Sequence, residues 1–394
     1  MENQILWIVS ELFPPDETST AYIMGEVANI LVDKYTVKVI CGSEIYDRRK
    51  KIDPNTSFRL DSSIEVFRTS NLNVDKNTVK GKIESLLLSS YKIAKEVKKR
   101  VRRGDKVLLV TNPFPLIVLM ARLKHKIGFE LTLLVHDVFP ENSNVVDVHI
   151  PLMPVVKRLF AWAYSKSDMF IAIGRDMREL LQEKVRRYCE DPKIVIIENW
   201  ADIDNIKPLE RTQGEKITIE YAGNIGRGQG LKDFVENFVN AGNNLLQFDL
   251  YGTGAMEDSL KDEVGKKGIP NVFFHGFYFR SQQNEVLNAC DLALVTLAEG
   301  AYGIGVPSKT YNIMASGKAI LYIGHPQSEV ALLLKEKNIG YVFSPAEKNA
   351  IRTFLANLTS KSLNEIRGMG SRARLVAENE YSKEIILEKY KNLI

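Results

Sequence analysis

Between Glu299 and Lys309 the chain brings together a carboxylate, three glycines, a proline, a serine and a lysine: Glu299-Gly300-Ala301-Tyr302-Gly303-Ile304-Gly305-Val306-Pro307-Ser308-Lys309. Glycines let a backbone come close to a ligand and leave its N–H groups bare. Pro307 and Ser308 mark the first turn of a helix, whose N-terminus carries roughly half a positive charge. Lys309 adds a full charge beside it. Such an assembly suits a diphosphate, and Glu299, at a strand end, suits sugar hydroxyls. A loop that only caps a helix would leave this convergence unexplained.

Three further loops carry chemistry. In Tyr221-Ala222-Gly223-Asn224-Ile225-Gly226-Arg227-Gly228-Gln229-Gly230, four glycines sit near Arg227, a partner for a diphosphate. Their spacing departs from G-x-G-x-x-G, and no acidic residue closes the next strand as a dinucleotide site requires, which argues against a nicotinamide cofactor. After a strand at 131–135 comes His136-Asp137-Val138-Phe139-Pro140-Glu141. Imidazole and carboxylates at a strand end are costly to bury unpaired, so they are expected to work in a site or a network. Near the amino end, Ser10 to Thr20 offers Thr18, Ser19 and Thr20 as N-caps of a helix from Ala21, with free N–H groups for a phosphate or sugar.

Short apolar runs, rich in β-branched residues, position these loops. Strands are expected at 5–9, 37–41, 64–67, 107–110, 131–135, 169–173 and 194–197. Six more follow at 217–221, 248–251, 272–275, 292–297, 319–323 and 340–343. Most are continuously apolar, as strands covered on both faces must be, and helical patterns alternate with them. This order implies parallel, doubly wound sheets with right-handed crossovers. Thirteen strands suit two sheets better than one, and the break is expected at 203–216, where Asp, Asn, Pro, Gln and Gly cluster. The expected domains are 1–202, 203–375 and a closing helix, 376–394. Ligands of such sheets sit beyond the carboxyl ends of the strands, where all four loops fall.

Composition narrows the class. The 394 residues are 45% hydrophobic and 26% charged, ordinary for a globular chain long enough for two cores. Cys41, Cys189 and Cys290 are far apart and odd in number, with neither disulfide nor metal-ligand spacing, so a reducing, cytoplasmic setting is expected. The first residues lack a basic region and a cleavage site of a secretion signal. No uninterrupted apolar run reaches the roughly 18 residues of a membrane span. The net charge of +4 is uneven: residues 1–200 hold 31 Lys and Arg against 26 Asp and Glu. From Lys92 to Lys106 eight basic residues face only Glu96 and Asp105. With the apolar residues that precede it, 83–106 reads as a solvated amphipathic helix or as a contact with anionic lipid at the inner face of a membrane. No nucleic-acid partner is expected.

In this order the motifs resemble the GT-B-fold retaining glycosyltransferases of glycosyltransferase family 4, along nearly the whole chain. The residues are FPP after the first strand, VHDVFPE at 135–141, IENWAD at 197–202 and YAGNIGRGQGL at 221–231. They continue with DLYGTGAMEDSL at 249–260, HGF at 275–277, CDLALVTL at 290–297 and VPSKTYNIMASGKAIL at 306–321. The closest likeness is to the branch that builds capsule, O-antigen or exopolysaccharide units.

The resemblance implies a nucleotide diphosphate on the second domain and an acceptor on the first. It implies that His136, with Asp137 beside it, contacts the donor sugar. Glu299 matches the first glutamate of the family's pair. Gly303, Ile304 and Gly305 match amides near sugar and phosphate, and Gly252 and Gly254 a turn beside the nucleobase. Three departures from the pattern stand out. Asn312 stands where the second glutamate, a ribose ligand, is usual. Asn224 and Gln229 replace the usual arginine and lysine, leaving Arg227, Lys309 and the adjacent Ser308 to hold the diphosphate. Ser19 and Thr20 replace a glycine pair.

The expected reaction moves a hexose, with retention, from a UDP-type donor to a lipid-linked or glycan acceptor, with no cofactor and no metal required. Two rivals remain, the first with the same two-domain outline. A nucleotide-sugar epimerase would consume donor without an acceptor. A non-catalytic sugar-nucleotide-binding protein would bind it without releasing nucleotide.

Overall fold

The computed structural model describes residues 4–43, 58–70, 79–145, 150–210, 214 and 216–394. All thirteen expected strands form, with ends shifted by at most two residues. The first sheet comprises β1 (Ile5–Ser10), β2 (Thr36–Cys41), β3 (Glu65–Arg68), β4 (Lys106–Val110), β5 (Glu130–Val135), β6 (Met169–Ala172) and β7 (Ile194–Ile196). The second comprises β8 (Ile217–Ala222), β9 (Leu246–Tyr251), β10 (Val272–Gly276), β11 (Leu292–Thr296), β12 (Ala319–Ile323) and β13 (Gly340–Phe343). Their orders are β3-β2-β1-β4-β5-β6-β7 and β10-β9-β8-β11-β12-β13. Every pairing in the first sheet is parallel. So is every pairing in the second.

The helices of the first half are α1 (Ser19–Leu31), α2 (Val79–Arg100), α3 (Pro115–Ile127), α4 (Asn142–Val145), α5 (Met153–Tyr164) and α6 (Arg175–Val185). The second half adds α7 (Leu231–Asn240), α8 (Glu257–Lys266), α9 (Gln283–Asn288), α10 (Lys309–Ala315) and α11 (Glu329–Lys337). The chain then runs through α12 (Lys348–Asn357), α13 (Ser362–Glu380) and α14 (Lys383–Leu393). Because helices cover both faces of each sheet, β8, β11 and β12 are buried along their whole length.

Each sheet reverses its strand order once, beside β1 in the first and beside β8 in the second. Backbone loops diverge at such a point and leave a crevice. In the second sheet the crevice lies between the loops after β8 and β11, the two glycine-rich stretches. In the first it lies beside β4, whose other neighbour, β5, leads into His136.

One apolar cluster fills the second sheet's layers. A larger one starts in the first sheet and continues through Tyr311, Met314, Leu334 and Ile386 of the second half, so the two halves share part of a core. Ser382 caps α14, its Oγ accepting from Ile385 N. The helix then returns to the first sheet's layer against α1. Lys391 pairs with Asp33 at 2.6 Å, Lys389 with Glu198 at 2.8 Å, and Lys106 Nζ donates to Ile394 O at 2.9 Å.

Candidate active site between the two sheets

His136 leaves the carboxyl end of β5, and Thr111, at the end of β4, fixes its backbone. The Thr111 hydroxyl accepts from the amides of His136 (3.2 Å) and Asp137 (3.4 Å). Thr20, in the first turn of α1, lies 3.4 Å from His136 Nδ1. The other ring nitrogen, Nε2, is buried with no hydrogen-bond partner among the described residues. Burial pulls the imidazole down to about 4, so at neutral pH it is uncharged. Asp137 is open to solvent but crowded by protein, and that crowding raises its carboxyl to about 6. Glu141, further along, is held by the buried Lys184 of α6 at 2.6 Å.

The glycine-rich loop after β11 lies directly on these residues. Val138 N donates to Ile304 O at 2.9 Å. A Cβ on Gly305 would stand 3.0 Å from Asp137 Oδ1, so only a bare backbone fits there without displacement. Gly303, with φ of +70°, donates its N–H to Asp176 Oδ2 at 3.3 Å, and Tyr302 OH donates to Glu179 Oε2 at 2.5 Å. A segment of the second half is therefore bonded to α6 and the β5 loop of the first. Glu299 and Gly300, at the start of the loop, are exposed.

A second group forms on the second sheet. Lys309 Nζ sits 3.6 Å from the centre of the Tyr221 ring. It presses on the Gly223 backbone so closely that a Cβ there would fall 2.6 Å away. It makes no hydrogen bond among the described residues. Burial drives its amine down to about 7, and the nearby charge of Glu220 only partly offsets this. Gly252 and Gly254 extend the group: Cβ atoms on them would stand 1.9 Å from Gly223 O and 2.3 Å from Ile225 O. The loops after β8 and β9 thus lie against each other. Asn224 and Arg227 are exposed on the loop after β8, and Ala298 N donates to Gly228 O at 2.9 Å, tying that loop to the one after β11.

The structure so gathers His136 and Asp137 with Ile304 and Gly305, and Lys309 with Gly223, Gly252 and Gly254. It places Asn312 apart from both groups: its Oδ1 accepts from Asp202 N at 3.1 Å, on the linker between the halves. Helix α10 starts at Lys309 and has seven residues, with Pro307 and Ser308 ahead of it. Its dipole is accordingly short, and the charge at this point belongs mainly to Lys309. The chain has one Asp-x-Asp, Asp202-Ile203-Asp204. It lies in the linker, where Asp202 Oδ2 receives Arg280 at 3.1 Å and Oδ1 receives Asn205 Nδ2 at 2.9 Å. Among the described residues no three His, Cys, Asp or Glu side chains cluster in a metal-holding arrangement.

Sequence reasoning missed Thr111 and Asp176, which position the loops rather than form a motif, and gave Tyr221 no role beyond opening a glycine-rich run. Asp176 left one trace, a Gly-Arg-Asp start to the helix after β6.

Residues 216–360 match the family described as Glycosyl transferases group 1. The probable glycosyltransferase WbjE of Pseudomonas aeruginosa is 30% identical over 98% of this chain and 96% of its own length. Sucrose-phosphate synthase of Thermosynechococcus elongatus superposes over 99% of this chain and 98% of its own, with a TM-score of 0.74 and 14% identity. Anabaena HepE in complex with UDP covers the same shares, with a TM-score of 0.66 and 14% identity. The architecture is that of the GT-B glycosyltransferases, two parallel-sheet domains facing each other.

Proposed function

The chain belongs to the group 1 glycosyl transferases, and from that premise we propose that it moves a hexose, with retention, from UDP to a lipid-linked or glycan acceptor. The reading places it on the cytoplasmic side of a membrane, in the assembly of a capsule-type or related surface polysaccharide. The observation that carries it is Lys309. A buried ammonium with no hydrogen-bond partner among the described residues, stacked on an aromatic ring and pressed to a glycine backbone, is destabilised until an anion arrives. UDP-bearing HepE shares the fold, which supports a diphosphate as that anion.

In this reading the pyrophosphate lies over Gly223 with Lys309 and Arg227 on its oxygens and Ser308 close by. The base rests at the turn of Gly252 and Gly254. The sugar lies between Glu299, the amides of Gly303 to Gly305, and His136. The bond from the anomeric carbon to the phosphate oxygen breaks as the acceptor oxygen bonds that carbon from the same face. The acceptor's proton passes to the departing phosphate oxygen. The two cations stabilise that oxygen as it gains charge. His136, uncharged, suits a hydrogen bond to a sugar hydroxyl better than proton donation. No divalent ion takes part, so chelator should leave turnover unchanged.

A thermal-shift panel of nucleotides and nucleotide sugars tests the donor. A ligand at about a hundred times its Kd stabilises by about 2.7 kcal/mol, enough for UDP and UDP-hexoses to stand out from NAD. No shift with any uridine nucleotide, or a product with inverted anomeric configuration, sinks the reading.

A further inference from the structure

Helix α2 is inside out along its first half. Ser85, Ser89 and Ser90 are buried, Ser89 Oγ donating to Glu11 Oε1 at 2.7 Å and Ser90 Oγ to Leu86 O at 2.7 Å. Ile83, Leu87, Leu88 and Tyr91 face outward, Leu87 being 55% and Tyr91 62% exposed. Burial of apolar surface favours the opposite arrangement, and the end of the helix obeys it, with Ile93 and Val97 inside and Val101 buried just beyond it. Helix α3 packs between α2 and α5 on the same side of the sheet. Beyond it α5 repeats the anomaly: Leu152, just before its first turn, is 75% exposed, and Val155 and Leu159 are exposed at helical spacing.

Cations surround these stripes. Lys95, Lys98 and Lys99 are exposed on the second half of α2, Arg122 and Lys126 on α3, and Lys157 and Arg158 on α5. The three helices contain only two acidic residues, Glu84 and Glu96, and Glu96 is tied to Arg100 at 2.9 Å.

We infer that the outer face of α2, α3 and α5 docks on a bilayer carrying anionic lipid, with the leucine-rich turns in the headgroup layer and the lysines and arginines on its phosphates. The charge is complementary to such a surface, and a row of three packed helices with apolar stripes suits a fluid interface. Helices that follow parallel strands begin at the strands' carboxyl edge. The apolar turns of α2 and α5 therefore lie on the side of the sheet that bears His136, and docking brings the rim of the cleft to the lipid. The membrane contact expected from 83–106 thereby gains α5, which that range leaves out. The inference needs no sugar chemistry and stands apart from the donor site.

Flotation of the full chain with vesicles tests it. Binding should be about tenfold stronger to phosphatidylcholine mixed with phosphatidylglycerol than to phosphatidylcholine alone, and should fall in high salt. Leu87→Asp combined with Val155→Asp should abolish it and leave the UDP-induced thermal shift intact, which shows that the variant is folded. A Tyr91→Trp variant should shift its emission to the blue on the same vesicles. Indifference of the native chain to anionic vesicles overturns the inference. So does undiminished binding of the double variant, or a concentration-dependent dimer, seen by sedimentation, that the same substitutions disperse.

Discussion

The acid–base behaviour of the site follows from three side chains. Lys309 titrates at about 7 in the folded chain against an ordinary 10.5. Between those values the unfolded chain holds a proton that the folded one lacks, so stability rises with pH across that window. His136, at about 4 against 6.5, acts with the same sign in its own window. Asp137 acts oppositely: raised to about 6 from 3.8, it holds an extra proton when folded, and stability falls as pH rises between the two. A diphosphate beside Lys309 would restore its charge. UDP binding at about pH 8 should therefore take up about one proton, read from calorimetry in two buffers of different ionisation heat. Lys309→Met should abolish the uptake, and Lys309→Ala should lower kcat/KM about 100-fold. An uptake that survives the substitution would clear Lys309 of phosphate contact. Lys309 and His136 were legible in the sequence because each sits in a run of unusual residues. Thr111 was not, since it meets His136 only when β4 and β5 align. Asn312 could be located but its partner could not, because Asp202 lies 110 positions away.

Among the elements, strands were the most legible, because a strand buried on both faces is apolar at most positions, with few exceptions such as Thr218 and Glu220 of β8. Loop conformation was less so, since φ angles leave little mark beyond glycine itself. Gly252 has φ of +120° and touches Gly223 O, so Gly252→Ala should cost about 1–3 kcal/mol and impair UDP binding beyond what the lost stability explains. Gly265, on α8 with open space around it, serves as the contrast: Gly265→Ala should stabilise by about 0.5–1 kcal/mol and leave UDP binding alone. Thermal unfolding with and without UDP reads both. Equal effects of the two substitutions would mean that the contact between the β8 and β9 loops does not shape the site.

At the scale of the molecule, Arg175 of the first half grips Glu329 of the second with two hydrogen bonds of 3.0 Å from its guanidinium and one of 2.7 Å from its amide. Another guanidinium nitrogen reaches Glu336 at 2.7 Å. Glu329 is nearly buried, so Arg175→Ala strands a carboxylate and should cost about 2 kcal/mol, below the figure for a fully buried pair because Arg175 is partly open to water. Arg175→Lys should recover part of that loss, having the charge but not the fork. Unfolding midpoints in denaturant decide; no change with either would mean the halves hold together without this link. None of it was legible beforehand, because the partners lie 154 positions apart and neither stands in a motif. The loop from Tyr302 to Gly305 has the widest consequence. Its peptide chain is anchored in one domain and its hydrogen bonds in the other, so it cannot follow both when they part. Any parting of the two domains would separate Ile304 O from Val138 N and draw the glycine amides away from His136. On the proposed reading, an ajar molecule would lack an assembled sugar site, and water reaching the donor would find the groups that act on it scattered.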